Sequence, residues 1–104
     1  MAAPYNPPVK GEDFVIRIAL TSMATDGSFK SNPTITAGDF SVDKDGGGLT
    51  NLNTTPTVDP SGSILVKITL SATEMTADVV TIVGIDQTSP KEWADFALSI
   101  PTTT

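Results

Sequence analysis

Apolar and polar residues alternate along several short stretches of this chain. Within Glu12 to Thr21 the apolar residues Phe14, Ile16, Ile18 and Leu20 recur at every second position, and a repeat of two over that length predicts a β-strand. Ile64 to Leu70 shows the same alternation, whereas Val79 to Ile85 is apolar almost throughout, which is typical of a central strand covered on both faces. Shorter apolar runs predict further strand segments at residues 29–30, 34–36, 39–43, 49–52 and 93–100.

Turn-forming residues separate these segments at intervals of roughly ten residues. Asp26-Gly27, the glycine-rich run 45–48 and the segment 59–62 supply the positive φ values and Asx turns that tight connections use. About seven short strands with this spacing predict an all-β fold, an Ig-like antiparallel β-sandwich. The Cys–Trp–Cys pattern of true Ig domains is absent, because the chain has no Cys.

One connection has a different pattern. Ser71 is followed three residues later by Glu74, which is the form of a capping box. We therefore predict one short helical turn near residues 72–77, too short to stand alone and held by packing of Met75 into the core.

The sandwich is expected to span residues 12–101 as a single domain. Residues 1–11 contain three prolines, which fix φ and remove backbone donors, so we predict an extended Pro-rich N-terminal arm. Residues 102–104 form a polar tail. The N-terminus has no cationic start followed by an apolar run, and no secretory signal is expected.

Composition and charge narrow the function classes. Cys and His are both absent, so a thiol nucleophile, a thiolate metal site and a histidine base are excluded. We expect no enzyme and no cofactor. The net charge is −6, and the six cations are scattered singly, whereas phosphate backbones and anionic membranes are bound by clustered Lys or Arg. Neither nucleic acid nor a membrane is therefore expected as a partner.

Two groups of acidic residues are candidate sites. Asp39, Asp43 and Asp45 lie beside a glycine-rich loop and could offer oxygen ligands to calcium, although their spacing does not match an EF-hand. The alternative is a hairpin whose Asp side chains bond their own backbone. Glu74 and Asp78 could be an acid/base pair, but a helix cap explains the first of them.

Two further features predict contacts with other molecules. Glu92 beside Trp93 could form a platform for a glycan, an aromatic ring next to a carboxylate; the alternative is a tryptophan buried in the sandwich. Tyr5, Pro7 and Pro8 of the arm are candidate contacts with a partner protein, because extended segments add readily to other surfaces. Leu65 is a further candidate, since it falls on the outward side of its strand.

Three segments together resemble a known family. They are Gly-Asp-Phe-Ser-Val-Asp-Lys-Asp-Gly-Gly-Gly at 38–48, Val-Lys-Ile-Thr-Leu-Ser-Ala-Thr-Glu-Met-Thr-Ala-Asp at 66–78, and Lys-Glu-Trp at 91–93. In this order and spacing they are similar to a small β-sandwich domain that recurs in virion proteins of tailed bacteriophages. The resemblance covers roughly residues 12–100 and implies use in fibres, neck or baseplate adaptors, or capsid decorations.

The resemblance leads to a specific expectation of function. Longer relatives continue into fibre sequence, whereas this chain ends at Thr104, so a stand-alone copy is expected. The expected role is a non-enzymatic capsid-decorating protein that attaches to a larger virion protein through one sandwich face and the arm, in several copies or as a homo-oligomer. It would be assembled in the host cytoplasm and located in the virion. A neck, baseplate or tail-fibre adaptor is the alternative, and a host-glycan-binding module the second alternative.

Overall fold

The computed structural model describes residues 7–24 and 26–103 of the chain. This part is all-β, with strands wherever a run of alternating or β-branched residues lies between two turns. The seven strands are β1 (Phe14–Ala19), β2 (Phe40–Lys44), β3 (Leu49–Asn51), β4 (Thr57–Val58), β5 (Leu65–Leu70), β6 (Val79–Gly84) and β7 (Phe96–Pro101).

The strands form two antiparallel sheets that pack face to face. One sheet has the order β1-β5-β4 and the other the order β3-β2-β6-β7. In Ig lettering these are B-E-D and C′-C-F-G, so the predicted Ig-like antiparallel sandwich is confirmed. The register places Ile16 opposite Ile68 in the first sheet and Ile82 opposite Leu98 in the second, which points apolar rows of both sheets inward.

The core consists of the inward-facing side chains of both sheets and four residues from connections, Leu20, Met75, Ala77 and Trp93. Burial alternates strictly along β5, because successive side chains of a strand point to opposite faces. The rings of Phe40 and Trp93 are both fully buried, with centroids 5.5 Å apart. Met75 is also fully buried, as the sequence predicted, and it closes the core beside the connection between β5 and β6.

The connection between β5 and β6 is the predicted capped turn. The Glu74 amide donates to Ser71 Oγ at 3.2 Å, and the Ser71 amide donates to Glu74 Oε1 at 2.9 Å. These reciprocal bonds are those of a capping box. The turn occupies residues 72–75. The part of the chain that the structure describes contains no α-helix. Within that part, no helix has the length and apolar character that crossing a membrane requires.

Two details of the strand predictions were wrong. The strand β6 is covered on one face only, because its sheet is antiparallel and its outward residues Val79, Thr81 and Val83 meet solvent or lie half-buried. Residues 34–36 form no strand, since the amides of Thr34 and Thr36 donate to the side chains of Glu92 and Asp39 instead of a sheet.

The two ends of the described chain are joined to each other. Val9 forms a parallel bridge with Thr103, and the Thr103 amide donates to the Pro8 carbonyl at 2.8 Å. The Thr102 amide donates to the Asp78 carbonyl at 2.9 Å. Residues 7–11 and 102–103, which the sequence assigns to the arm and the tail, therefore contribute hydrogen bonds to the folded unit.

Gly84 is the position where the packing leaves no room for a side chain. A Cβ atom there would lie 3.0 Å from Cε2 of Phe40, whose ring is fully buried. We expect Gly84→Ala to lower the free energy of unfolding by about 1–3 kcal/mol, because the ring must move in a close-packed core. Urea denaturation measures this change.

Ala97→Ser is the matched control for Gly84→Ala. Ala97 is exposed on the outward face of the neighbouring strand β7, so its free energy of unfolding should change by less than about 0.5 kcal/mol. Equal stability of the two variants would show that Phe40 has more room than the structure indicates.

Candidate functional site

The residues predicted to contact a partner lie in two places. Tyr5 lies outside the described residues. Pro7 and Pro8 are half-buried where the chain enters the folded unit. Leu65 is half-buried on the outward side of β5, directly opposite Ala19 of β1. The structure therefore places Leu65 on a sheet face and the two prolines at a sandwich edge.

The face that contains Leu65 combines apolar and cationic side chains. We call it the β1–β5 face, and it is formed by the outward residues of these two strands: Val15, Arg17, Ala19, Leu65, Lys67 and Thr69. Arg17 and Lys67 lie opposite each other, and the Arg17 guanidinium reaches across the sheet to Asp59, with Nη2 and Oδ2 2.8 Å apart. Among the described residues Lys67 makes no ion pair. Two of the six cations of an acidic protein therefore meet on one face.

The outer face of the four-stranded sheet has a different character. Its central rows consist of small or uncharged side chains, with Val83 opposite Ala97 and Thr81 opposite Ser99. The exception is Asp43, which is half-buried and turned to the adjoining hairpin. The two outer faces of the sandwich thus differ in charge as well as in strand number.

The structure excludes the glycan platform at Glu92 and Trp93. Trp93 is fully buried, and its Nε1 donates to the Thr34 carbonyl at 3.3 Å. A glycan needs an exposed ring face, and this indole packs against Phe40 instead. Glu92 is also committed, because its Oε1 accepts the Thr34 amide at 3.0 Å. Both residues hold the connection between β6 and β7 against the connection between β1 and β2.

The three aspartates considered for calcium bind separate parts of the backbone. Asp39 is buried and accepts the amides of Thr36 and Gln87. Asp43 accepts the amides of Gly46 and Gly48 within its own hairpin, at 2.9 and 2.8 Å. Within residues 7–24 and 26–103 no group of three or more acidic side chains is placed to hold a metal ion.

Asp45 fixes the start of β6 to the tip of the β2–β3 hairpin. It accepts the amides of Asp78 and Val79, and its own φ is 54°, which is a left-handed conformation that Asp tolerates. The bonds from the backbone of Val79 and Asp78 hold the pKa of Asp45 below its ordinary value. Each of the three aspartates therefore has a structural role.

The suggested acid/base pair of Glu74 and Asp78 is not formed. Glu74 is buried, and its two carboxylate oxygens accept the amides of Ser71 and Asn53. Asp78 is exposed and forms an ion pair with Lys10 at 3.0 Å. The two carboxylates serve different partners, so they do not provide a shared proton-transfer site.

Asp86 is a buried residue that sequence reasoning missed. Its carboxylate accepts the amides of Thr88 and Glu92, at 2.9 and 2.7 Å, and so closes the loop before β7. Burial by itself would raise the pKa of Asp86, but the hydrogen bonds from the backbone of Glu92 and Thr88 outweigh it and lower the pKa. The sequence signal was the Asx-turn form of Asp86 two residues before Thr88.

The loops at this end expose two large apolar side chains. Met23 and Phe29, both in the connection between β1 and β2, are 54% and 56% exposed. Beside Met23 lies an open depression of about 380 Å³, lined also by Lys91, Ala94 and Asp95. Lys91 and Asp95 form an ion pair at 2.8 Å on its rim. The loops around this depression are held by Asp86 and Glu92.

No protein-family model, curated protein or solved structure matches this chain significantly.

The buried carboxylate of Asp86 should make stability depend on acid pH. Because its pKa is lowered in the folded protein, its contribution is fully present above the ordinary value of 3.8 and is lost as the pH falls through the folded value. We expect Asp86→Asn to lower the free energy of unfolding by about 1–3 kcal/mol at neutral pH, because a carboxylate acceptor for two buried amides is lost. The difference from the unmodified protein should shrink below pH 3.8, as measured by denaturation at several pH values.

Asp95→Asn is the control for this measurement. Asp95 is exposed and forms a surface ion pair with Lys91, four residues earlier in the chain. Loss of this ion pair should change the free energy of unfolding by less than about 0.5 kcal/mol. A similar loss in both variants, or a difference that is independent of pH, would contradict the assigned role of Asp86.

Proposed function

We propose that this protein is a non-enzymatic structural component of a tailed-phage particle, a capsid-decorating protein. It attaches to a larger virion protein through the β1–β5 face and the N-terminal arm. The single observation that carries the attachment surface is the composition of this face, where half-buried Leu65 lies beside Ala19 and is flanked by two cations. An apolar centre with a charged surround is typical of protein–protein contacts.

The three segments that resemble phage virion domains support the proposed class. Residues 38–48 form β2 and the hairpin turn, residues 66–78 form β5 and the capped turn, and residues 91–93 place Trp93 in the core. These positions determine the scaffold. The surface that recognises a partner is therefore expected elsewhere, on faces and ends whose sequence the scaffold leaves free.

Charge supports the choice of the β1–β5 face over the opposite one. The chain carries a net charge of −6, so two copies repel each other at long range. Arg17 and Lys67 concentrate positive charge on one face, with Asp59 as the carboxylate bonded to Arg17. Such a face is complementary to an acidic surface of a larger protein. Binding through it would turn the acidic surfaces of this protein away from the partner.

A neck, baseplate or tail-fibre adaptor is the alternative location, and it uses the same kind of contact. The residues on which the host-glycan hypothesis depended do not form a binding site, because Trp93 and Glu92 both bond to Thr34 within the fold. Electron microscopy of the native particle distinguishes the two locations. Density on the capsid shell supports decoration, density at the neck, baseplate or fibre supports an adaptor, and absence from the particle contradicts both.

Leu65→Glu tests the attachment face. A carboxylate at the centre of the contact would be desolvated against the partner. We therefore expect the affinity of the variant for particles that lack this protein to fall by about tenfold or more. Val83→Glu is the matched control, because Val83 has similar burial and lies on the outward face of the opposite sheet. Co-sedimentation with particles measures both, and equal binding by the two variants would reject the β1–β5 face.

Removal of residues 1–6 tests the arm. The bond from the Thr103 amide to the Pro8 carbonyl and the bond from the Lys10 amide to the Thr103 carbonyl both remain, so we expect a folded protein with an unchanged pattern of β-sheet circular dichroism. Particle binding should be lost in the same co-sedimentation assay. Full binding by the truncated protein would restrict attachment to the sheet face.

A further inference from the structure

The strand β1 has a main-chain edge that no described residue covers. It is an outer strand of the three-stranded sheet and pairs with β5 on one side, and within residues 7–24 and 26–103 nothing pairs with its other side. Edge strands commonly contain Pro, Lys or a bulge that prevents pairing with another chain. The sequence of β1 is Phe-Val-Ile-Arg-Ile-Ala, and its register with β5 is continuous, so it has none of these protections.

The sheet register shows which main-chain groups of β1 point to this open edge. The Asp59 amide donates to the Leu65 carbonyl, one row beyond the last pair of β4 and β5, so Leu65 directs its main chain toward β4. Because the direction alternates along an antiparallel strand, Ile68 directs its main chain toward the residue opposite it in β1. The residues on either side of that one, Val15 and Arg17, therefore direct their amides and carbonyls away from β5, to the open edge.

We propose that two copies of this chain pair through the open edges of β1, in antiparallel register with the two Val15 residues opposite each other. Val15 then exchanges two main-chain hydrogen bonds with Val15 of the second copy. Arg17 of each copy lies opposite Asp13 of the other. The two three-stranded sheets become one six-stranded sheet, and the contact uses the same residues of both copies, as a two-fold interface requires.

Charge selects this register among those that the main chain allows. Within residues 13–19 only alternate residues point to the open edge, so Arg17 can lie opposite Arg17, Val15, Ala19 or Asp13 of the second copy. The first choice places two cations directly opposite, and the next two leave them diagonal to each other on neighbouring rows. Opposite Asp13, each guanidinium meets a carboxylate, and the two cations lie four rows apart. This register alone replaces repulsion by attraction.

The side chains on both faces of the strand fit this arrangement. On the inner face, partly exposed Ile16 lies opposite Phe14 of the second copy, which extends the apolar row of the core. On the outer face, Asp13 is exposed and free to approach Arg17. The Arg17 guanidinium bonds to Asp59 through Nη2, but its side chain remains 47% exposed and keeps further donors for a second carboxylate.

Val15→Lys tests the edge pairing. Two ammonium groups would lie opposite each other at the centre of the contact, and like charges in that position are destabilising. Sedimentation equilibrium should show a dimer for the unmodified protein and a monomer for the variant at the same concentration. Circular dichroism should show the same β-sheet spectrum for both, because Val15 points outward and its amide does not bond to β5.

Val79→Lys is the matched control. Val79 is 40% exposed and Val15 39%, the same charge is added, and Val79 lies on the outward face of the other sheet. This variant should dimerise like the unmodified protein. Equal loss of association in both variants would overturn the proposal, as would an unmodified protein that stays monomeric up to about 1 mM.

Charge reversal tests the register independently. Asp13→Arg and Arg17→Asp should each raise the dissociation constant of the dimer by about tenfold, because like charges then lie opposite each other. The double variant should recover the dimer, since the same pair forms with its charges exchanged. A double variant that is as weak as the two single variants would reject this register.

Amide hydrogen exchange locates the contact. The amides of Val15 and Arg17 should be protected in the dimer and exchange faster on dilution, whereas that of Ile16 should stay protected because it faces β5. Protection of Val15 and Arg17 that does not depend on concentration would overturn the proposal, because the edge would then be covered within one molecule.

This inference concerns the protein in isolation and does not rest on the proposed attachment to a particle. A dimer would present two β1–β5 faces side by side on one sheet. A monomer that binds particles rejects the dimer and leaves the proposed function standing, whereas a dimer that binds no particle has the opposite meaning.

Discussion

Buried carboxylates that accept backbone amides hold the connections of this sandwich in place. Asp39, Glu74 and Asp86 are each almost fully buried, and each accepts two amides from the loops around it. Because the chain has no Cys, these bonds and the apolar core perform the fixing that disulfides provide in many small β-sandwiches. Hydrogen bonds to a charged acceptor are stronger than those between neutral groups, and here they also satisfy amides that would otherwise be buried without partners.

These bonds to the backbone also explain why the acidic residues do not form a catalytic or metal-binding site. A carboxylate that already accepts two amides has few free lone pairs and a fixed position. Asp39, Asp43 and Asp45 are close in sequence, but their side chains turn to three different segments. The side chains that remain open to other molecules are those that do not fix a connection, including Leu65 on a sheet face and Met23 in an exposed loop. This division places recognition on surfaces and leaves stability to the acidic side chains.

The two ends of the described chain meet beside β1 and β7. Within residues 7–24 and 26–103 no strand pairs with the other edge of β1, and the apolar side chains of Ile16 and Ile18 are only partly buried there. The N-terminal segment does not pair with that edge within residues 7–11, because Val9 bridges to Thr103 of the other sheet.

The amino-acid pattern was enough to predict the strands whose inward and outward residues alternate, such as β1 and β5, and the capped turn at Ser71–Glu74, because these features depend on neighbours a few residues apart. It also placed Leu65 outward. It did not determine that Trp93 is buried, that Asp39 accepts an amide from Gln87, or that the chain ends join. These features depend on the three-dimensional fold, because they join residues far apart in the chain. The local pattern is the same whether a side chain meets solvent, a ligand or a distant loop.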